Sequence, residues 1–370
     1  MTDVMARLAR RLHSPGAMFD QAPLLLFWEM TQACELACLH CRACAVPARD
    51  PLELSTAEGE RLLADAAGLG VKLVVLTGGD PAMRPDLVYL VGFGQRLGLR
   101  MALTPSATSL VTRELLAELK VAGLARLAVS LDGVEAAEHD RFRGVPGSFA
   151  RTLTILEEAR SLGLTTQINT TLTPDSVDSL ERFAELLGPL GIELWSVFVL
   201  VATGRAQGAA GLTADQLEAA LVRLAALAER VPFDVKTTAA PHFRRVLLTH
   251  RKRPGAVVGL GDGIGRAPRG INDGQGIVFV SHRGEIFPSG FLPVRCGSVR
   301  DEGLAQVYRH HPLFRSLRDP DELRGKCGVC EFKRVCGGSR ARAYAELGDP
   351  LEEDPACSYM PRPLRQEQAS

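Results

Sequence analysis

The stretch PLLLFWEMTQACELACLHCRACA, residues 23–45, joins an apolar run to four closely spaced cysteines. Its first nine residues are almost all apolar or aromatic, which is typical of a buried strand. The cysteines follow at positions 34, 38, 41 and 44, and the first three have the spacing C-x3-C-x2-C. The stretch therefore predicts a β-strand whose end delivers three sulfur atoms into one short loop.

The nine cysteines fall into two groups, with roughly 250 cysteine-free residues between them. Disulfide scaffolds are small, secreted and rich in cysteine throughout, whereas this chain has 370 residues. Metal or cluster ligation in a reducing compartment fits better, and the expected localisation is cytoplasmic. The second group lies towards the end of the chain and consists of Cys296, Cys327, Cys330, Cys336 and Cys357.

The composition is that of a globular protein, with 46% hydrophobic residues and 43 basic residues balanced by 43 acidic ones. A net charge of zero argues against general nucleic-acid binding. No apolar run approaches the length of a membrane span. The first 22 residues lack the long apolar segment of a signal peptide, so we expect a basic amphipathic helical extension there.

Short apolar runs alternate with amphipathic ones from about residue 24 to residue 230. This alternation predicts six strand–helix units and a parallel α/β sheet, either open or curved into a partial (β/α)6 TIM-like barrel. Ligands of such sheets bind at the carboxyl ends of the strands. The polar candidates follow successive strands there, namely Gly78, Gly79, Asp80, Ser106 and Asp132.

The composition changes near residue 250, where a segment rich in glycine and arginine begins. Beyond it, GIVFVSHRGEIFPSGF predicts a β-hairpin around His282, Arg283 and Gly284. We therefore predict three parts: the extension over residues 1–22, an α/β core over 23–250, and a unit over 251–370 with a linker, the hairpin and the second cysteine group.

Three cysteines in one loop suit an iron–sulfur cluster with an open position. A [4Fe–4S] cluster takes four thiolates, one for each iron, so three leave one iron available to a small molecule. Structural zinc is the alternative, but it prefers four ligands in paired knuckles with two-residue gaps. Cys44 is a candidate fourth ligand, although we favour a free or buried thiol at that position.

Cys34, Cys38 and Cys41, placed after the first strand of such a sheet, resemble the signature of radical S-adenosylmethionine (SAM) enzymes. The resemblance extends over most of the chain. It implies a catalytic [4Fe–4S] cluster whose open iron binds the amino and carboxylate groups of SAM. One electron then cleaves SAM to methionine and a 5′-deoxyadenosyl radical, which abstracts a hydrogen atom from the substrate. His40 stands where the family often has an aromatic residue near the adenine.

Further segments resemble the SAM-binding motifs of the family. TGGDP, residues 77–81, is similar to the motif after the second strand that meets the SAM amino group, with Asp80 where glutamate is common. SLDGVEAAEHDRFRG is similar to the segment whose serine and arginine contact the SAM carboxylate, as a guanidinium fork can. The implied SAM-binding residues are His40, Gly78, Gly79, Asp80, Ser106, Thr108, Ser130, Asp132, Arg143 and Asn169.

The second cysteine group resembles one half of the SPASM domain, a C-terminal extension that carries auxiliary iron–sulfur clusters. The resemblance implies one auxiliary [4Fe–4S] cluster, bound by Cys327, Cys330, Cys336 and Cys357. An all-cysteine zinc site is the alternative. Ser289 and Ser339 stand near two positions where the full domain has cysteine, so we expect no second auxiliary cluster and no ligand role for Cys296.

The resemblance is closest to the branch that modifies tetrapyrroles in haem-related biosynthesis, on the wording of PSGFLPV, CGVCEFKRVCGGSRARAYA and DPACSYMP. Only 33 residues precede Cys34, which we expect to be too few for a peptide-leader-binding domain. Arginines near residue 250 are candidates to pair with substrate carboxylates, and His242 is a candidate ligand of a tetrapyrrole iron. The arginines are Arg244, Arg245, Arg266 and Arg269.

Two alternatives remain open. A maturase of a ribosomally made peptide or of another cofactor precursor would share the radical chemistry and take a peptide substrate. A non-enzymatic iron–sulfur electron carrier would need neither an open iron nor the loops after the second and fourth strands. For the enzyme we expect a reduced flavodoxin- or ferredoxin-type electron donor, a small-molecule or peptide substrate, and neither nucleic acid nor membrane as a partner.

Overall fold

A computed structural model describes residues 19–250 and 270–368 of the chain. Residues 1–18 of the expected N-terminal extension, the linker over 251–269, and with it Arg266 and Arg269, lie outside the described residues.

Seven strands run parallel and pair with one another in chain order. They are β1 (Leu25–Thr31), β2 (Leu73–Gly78), β3 (Arg100–Leu103), β4 (Leu124–Ser130), β5 (Thr166–Leu172), β6 (Leu194–Val199) and β7 (Asp234–Thr238). Six of them were predicted. The prediction missed β7 because its sequence, DVKTT, is largely polar; Asp234, Lys236 and Thr238 face an internal cavity.

Helices follow the strands and cover one side of the sheet. They are α1 (Thr56–Leu69), α2 (Leu87–Arg96), α3 (Arg113–Val121), α4 (Ala136–Arg143), α5 (Ser148–Ser161), α6 (Leu180–Leu187), α7 (Ala214–Ala228) and α8 (His242–His250). Helix α1 begins at a capping box in which the Ser55 and Glu58 side chains each accept the other's backbone N–H. The helix ends at Gly70 in the left-handed conformation.

Alternate residues of the strands serve two different surfaces. In β1, Leu26, Trp28 and Met30 are fully buried in the core shared with the helices, while Leu25 and Phe27 line the cavity on the other face. This alternation follows from the two-residue period of a strand. It gives the sheet an apolar outer face under the helices and a concave inner face for a ligand.

The C-terminal part extends the same sheet. Strand β8 (Ile277–Val280) pairs in parallel with β1, and the antiparallel strands β9 (Glu285–Phe287) and β10 (Gly297–Ser298) follow. The ten-stranded sheet therefore has β10 at one end and β7 at the other. The hairpin is confirmed, as is the α/β class with its parallel sheet. The remaining helices are α9 (Leu304–His310), α10 (Pro312–Arg318), α11 (Gly325–Val329), α12 (Arg340–Leu347) and α13 (Arg362–Gln368).

Within residues 19–250 and 270–368, no helix is both long enough and apolar enough to cross a bilayer.

Candidate functional site

The cysteine loop leaves the carboxyl end of β1 and closes on itself. Cys34 N–H donates to the Val46 carbonyl at 2.8 Å, which ties the two ends of the loop together. Within it, the sulfurs of Cys34 and Cys41 accept backbone N–H groups at 3.3 and 3.4 Å, and Arg143 approaches the Cys38 sulfur at 3.7 Å. Burial raises the pKa of the Cys34 thiol, against the effect of the hydrogen bonds to its sulfur.

All three of these cysteines line one cavity of about 400 Å³, which lies inside the curved sheet. That volume is in the range of small-molecule and cofactor sites. Cys44 does not line it; this side chain is exposed, and its backbone has the unusual φ of 49°. The loop thus presents three sulfurs inwards and a fourth to solvent.

His40 stacks on Phe142, with ring centroids 4.0 Å apart and an angle of 13° between the planes. Burial and the nearby Arg143 lower the pKa of His40 to about 4, so the ring is neutral at physiological pH. Its position in the cavity wall gives the site a flat, uncharged aromatic surface. Phe142 was not predicted from the sequence, since a single aromatic residue between two arginines, Arg141 and Arg143, gives no signal of a ligand site.

Two glycines at the end of β2, Gly78 and Gly79, allow that strand to approach the cysteine loop. A Cβ on Gly79 would lie 2.3 Å from the Ala33 carbonyl oxygen, and one on Gly78 would lie 2.3 Å from that of Thr31. Backbone bonds join the same segments, from Gly79 N–H to Thr31 and from Asp80 N–H to Ala33. Both glycines line the cavity.

Asp80 lies behind the cavity wall. Its side chain is fully buried and accepts the Ala82 N–H at 3.0 Å, the Ser106 N–H at 3.3 Å and the Thr108 hydroxyl at 2.6 Å. Burial raises the pKa of this carboxyl, against the effect of those hydrogen bonds. Ser106 itself faces the cavity, with its hydroxyl 3.2 Å from the Cys34 sulfur. Asp80 and Thr108 therefore hold the Ser106 loop in place.

A second buried carboxylate positions Arg143. Asp132 accepts the Thr171 N–H at 2.7 Å and forms an ion pair with Arg143 at 2.5 Å. Burial acts to raise the pKa of Asp132, but Arg143 and other neighbours hold it below its ordinary value. The pair keeps a guanidinium in the cavity wall, where Ser130 and Asn169, neighbours across β4 and β5, also lie.

The four cysteines predicted to bind the auxiliary cluster have a polar, cationic environment. N–H groups of Arg340, Phe332 and Gly338 approach the sulfurs of Cys327, Cys330 and Cys336 at 3.4 to 3.5 Å. The fourth, Cys357, lies beside His242, whose charge lowers the pKa of this thiol against the effect of burial. Burial raises the pKa of the other three thiols, and Arg340 and the backbone N–H groups act against that effect. In the described residues, however, no three His, Cys, Asp or Glu side chains are grouped to hold a single metal ion.

His242 is part of this C-terminal cluster of contacts and does not line the cavity. It is almost fully buried and forms an ion pair with Asp354 at 3.2 Å. Burial lowers its pKa, but Asp354 outweighs that effect and raises the value to about 9. Asp354 also binds Arg342 at 3.1 Å. The imidazole is therefore protonated at neutral pH, and a protonated imidazole has no lone pair free to bind an iron.

The other candidate residues from the sequence form ion pairs or hydrogen bonds within the protein, or are buried. Arg245 forms an ion pair with Glu218, while Arg244 lines the cavity and donates to two backbone carbonyls. The Ser339 hydroxyl caps helix α12, and Ser289 accepts the Phe291 N–H at 3.2 Å. Burial raises the pKa of Cys296 to about 12, so this side chain is a neutral thiol.

Comparisons with known proteins agree with the site. The family model of the Radical SAM superfamily matches residues 28–187. The AdoMet-dependent heme synthase of Methanosarcina barkeri (strain Fusaro / DSM 804) is 39% identical over 341 residues, which are 92% of this chain and 97% of that protein. The PqqA peptide cyclase of Rhodopseudomonas palustris (strain ATCC BAA-98 / CGA009) is 31% identical, over 92% of this chain and 88% of that protein.

A solved structure shares the fold. Streptococcus suis SuiB bound to S-adenosylmethionine superposes with a TM-score of 0.69 at 19% identity, over 92% of this chain and 78% of that one. The cysteine loop, the matched family model and relatives of nearly equal length lead to one conclusion. This chain belongs to the radical SAM superfamily of enzymes, whose members use a [4Fe–4S] cluster and S-adenosylmethionine.

Proposed function

We propose that Cys34, Cys38 and Cys41 bind the catalytic [4Fe–4S] cluster and that SAM completes the coordination of its fourth iron. One observation carries the proposal: the three sulfurs line the same cavity as a neutral aromatic ring, two glycines and an arginine. These residues are His40, Gly78, Gly79 and Arg143. The side chains and backbone that would contact SAM are those of His40, Gly78, Gly79, Ser106, Ser130, Arg143 and Asn169.

When bound, the cluster and SAM supply a 5′-deoxyadenosyl radical through one-electron cleavage of the sulfonium. The contribution of this chain is to position and shield the reactants. Arg143 offers a guanidinium to the SAM carboxylate, and the stacked His40 offers an apolar face for the adenine. Asp80, Thr108 and Asp132 act from behind the wall, since their side chains hold Ser106 and Arg143.

We infer that Cys327, Cys330, Cys336 and Cys357 bind one auxiliary [4Fe–4S] cluster. The N–H groups directed at three sulfurs and the protonated His242 beside the fourth support this assignment, because a cluster with four thiolates is anionic. The same contacts would suit an all-cysteine zinc site, so metal analysis must distinguish the two. We further propose that the chain divides into a core over 23–250 and a cluster-binding unit over 251–370.

We propose a tetrapyrrole as the substrate, with modification of its carboxylate-bearing side chains in haem-related biosynthesis. The support is the 39% identity to a heme synthase over nearly its whole length, against 31% to a peptide cyclase. Maturation of a peptide is the second candidate, because that cyclase also aligns over most of its length. We further propose a reduced flavodoxin or ferredoxin as the electron donor and the cytoplasm as the location, where thiols stay reduced.

Anaerobic reconstitution tests the cofactor assignments. With SAM and a strong reductant, the protein should form 5′-deoxyadenosine, and its iron content should be about eight atoms per chain from two four-iron clusters. Absence of 5′-deoxyadenosine would refute the radical chemistry. About four irons together with one zinc would leave the catalytic cluster in place and refute the auxiliary one.

A further inference from the structure

The arginines that line the cavity differ in the ion pairs and hydrogen bonds that their guanidinium groups form. Arg143 is ion-paired with Asp132, as described above, and Arg42 is ion-paired with Glu29 at 2.7 Å. Arg244 donates to two backbone carbonyls. Arg205 is exposed, and its guanidinium reaches one carbonyl oxygen, that of Ala45, at a long 3.4 Å. No carboxylate among residues 19–250 and 270–368 forms an ion pair with it.

Arg205 is nevertheless held firmly at its backbone. It lies in a single 3₁₀ turn after β6, Gly204–Ala206, and its N–H donates to the Cys41 carbonyl at 3.0 Å. Gly204 has a φ of 59°, and a Cβ there would lie 2.4 to 2.5 Å from the carbonyl oxygens of Arg42 and Cys41. Only glycine permits this approach. The turn therefore holds the backbone of Arg205 beside the cysteine loop, and the guanidinium of this residue has N–H donors available to a ligand.

Arg205 and Arg143 reach the cysteine loop from different strands of the sheet. Arg143 ends the helix after β4, whereas Arg205 follows β6, and β5 lies between these two strands. Strands are about 4.8 Å apart, so the two strand ends are separated by roughly 10 Å. Since Arg143 is the proposed partner of the SAM carboxylate, Arg205 is available to a different anion at the cavity mouth.

We propose that Arg205 binds a carboxylate of the substrate and so sets which side chain faces the radical. The inference rests on the proposed function, in which the substrate is a tetrapyrrole with carboxylate side chains. A planar guanidinium pairs with a carboxylate through two parallel hydrogen bonds, which fixes orientation as well as position.

The test is a binding titration with the anaerobically reconstituted full chain. An iron porphyrin with four propionates is the probe, and its tetramethyl ester is the matched neutral probe. R205Q should weaken binding of the acid about 10- to 100-fold, the range of one charge-assisted bidentate contact. R205K, which keeps the charge, should lose less. R61Q, on the exposed side of helix α1, is the control and should bind like the wild type.

The outcomes separate this inference from the proposed function. Equal binding of the acid by wild type and R205Q would overturn the role of Arg205 and leave the tetrapyrrole assignment standing. An equal loss for the acid and the ester would overturn it too, because the loss would not depend on the carboxylate. A fall in SAM affinity in R205Q would assign the residue to the cofactor instead. If the wild type binds neither probe, the tetrapyrrole assignment fails together with the inference.

Discussion

Replacement of Gly79 by alanine should separate the end of β2 from the cysteine loop. The added Cβ would lie 2.3 Å from the Ala33 carbonyl oxygen and 2.6 Å from that of Gln32. These contacts are with backbone atoms, which have no flexible end to move aside. The shift needed to relieve them would also break the 2.7 Å hydrogen bond from Asp80 N–H to the Ala33 carbonyl.

The expected loss follows from two effects. Overpacking a well-packed site costs about 1 to 3 kcal/mol, and a lost buried hydrogen bond about 1 kcal/mol. The free energy of unfolding should therefore fall by about 2 to 4 kcal/mol. For a chain of 370 residues the entropy of unfolding is about 0.8 kcal/mol per kelvin, so the melting temperature should fall by about 3 to 5 °C. Because Ala33 precedes Cys34, binding of iron at the loop should weaken as well.

Anaerobic thermal melting and iron analysis measure both effects. The control is G68A, since a Cβ on Gly68 in helix α1 would meet no atom within 4 Å. There alanine should stabilise the helix by up to about 1 kcal/mol. The reasoning would be refuted if the melting temperature of G79A lay within about 1 °C of that of the wild type and G79A retained its full iron content.

Two other perturbations follow from the site. C41S should lower the iron content from about eight to about four per chain, while C44S should keep about eight; iron analysis that shows equal losses would contradict the unequal roles of the two cysteines. His282 is 2.8 Å from Glu29, and this partner outweighs the effect of burial and raises the histidine pKa above 6.5. The stabilisation from the protonated pair is complete below that pH and is lost as pH rises through the raised pKa. H282Q should therefore reduce the melting temperature by about 1 to 4 °C at pH 6 and by less at pH 9, whereas an equal reduction at both would exclude the ion pair as the cause.

The sequence was most informative where local spacing determines the structure. The first strand, the cysteine loop and the capped helix α1 follow from short patterns, and the hairpin around His282 was also predicted. Strand β7 escaped prediction because its polar residues face the cavity, so it lacks the apolar run that marks a strand. A strand that contributes polar residues to a ligand site is therefore hard to recognise from its sequence.

Tertiary contacts decided what individual polar residues do. Asp80 belongs to a recognisable motif, yet its carboxylate is occupied by a turn and by Thr108. Arg245 was a candidate for the substrate, but Glu218, 27 residues earlier, neutralises it. Arg205 carries no signal of its own in the sequence. Its position in the site is determined by the Gly204 turn, which packs on the cysteine loop. This contact joins Cys41 and Arg205, which are 164 positions apart in the chain.

The most direct test of the central claim is transfer of deuterium from a labelled substrate. The anaerobically reconstituted enzyme would be given SAM, a strong reductant and an iron tetrapyrrole that is deuterated in its carboxylate-bearing side chains. We predict that deuterium appears in 5′-deoxyadenosine and that the tetrapyrrole loses mass from a side chain. If 5′-deoxyadenosine forms without deuterium and the tetrapyrrole is recovered unchanged, the assignment of a tetrapyrrole substrate is contradicted.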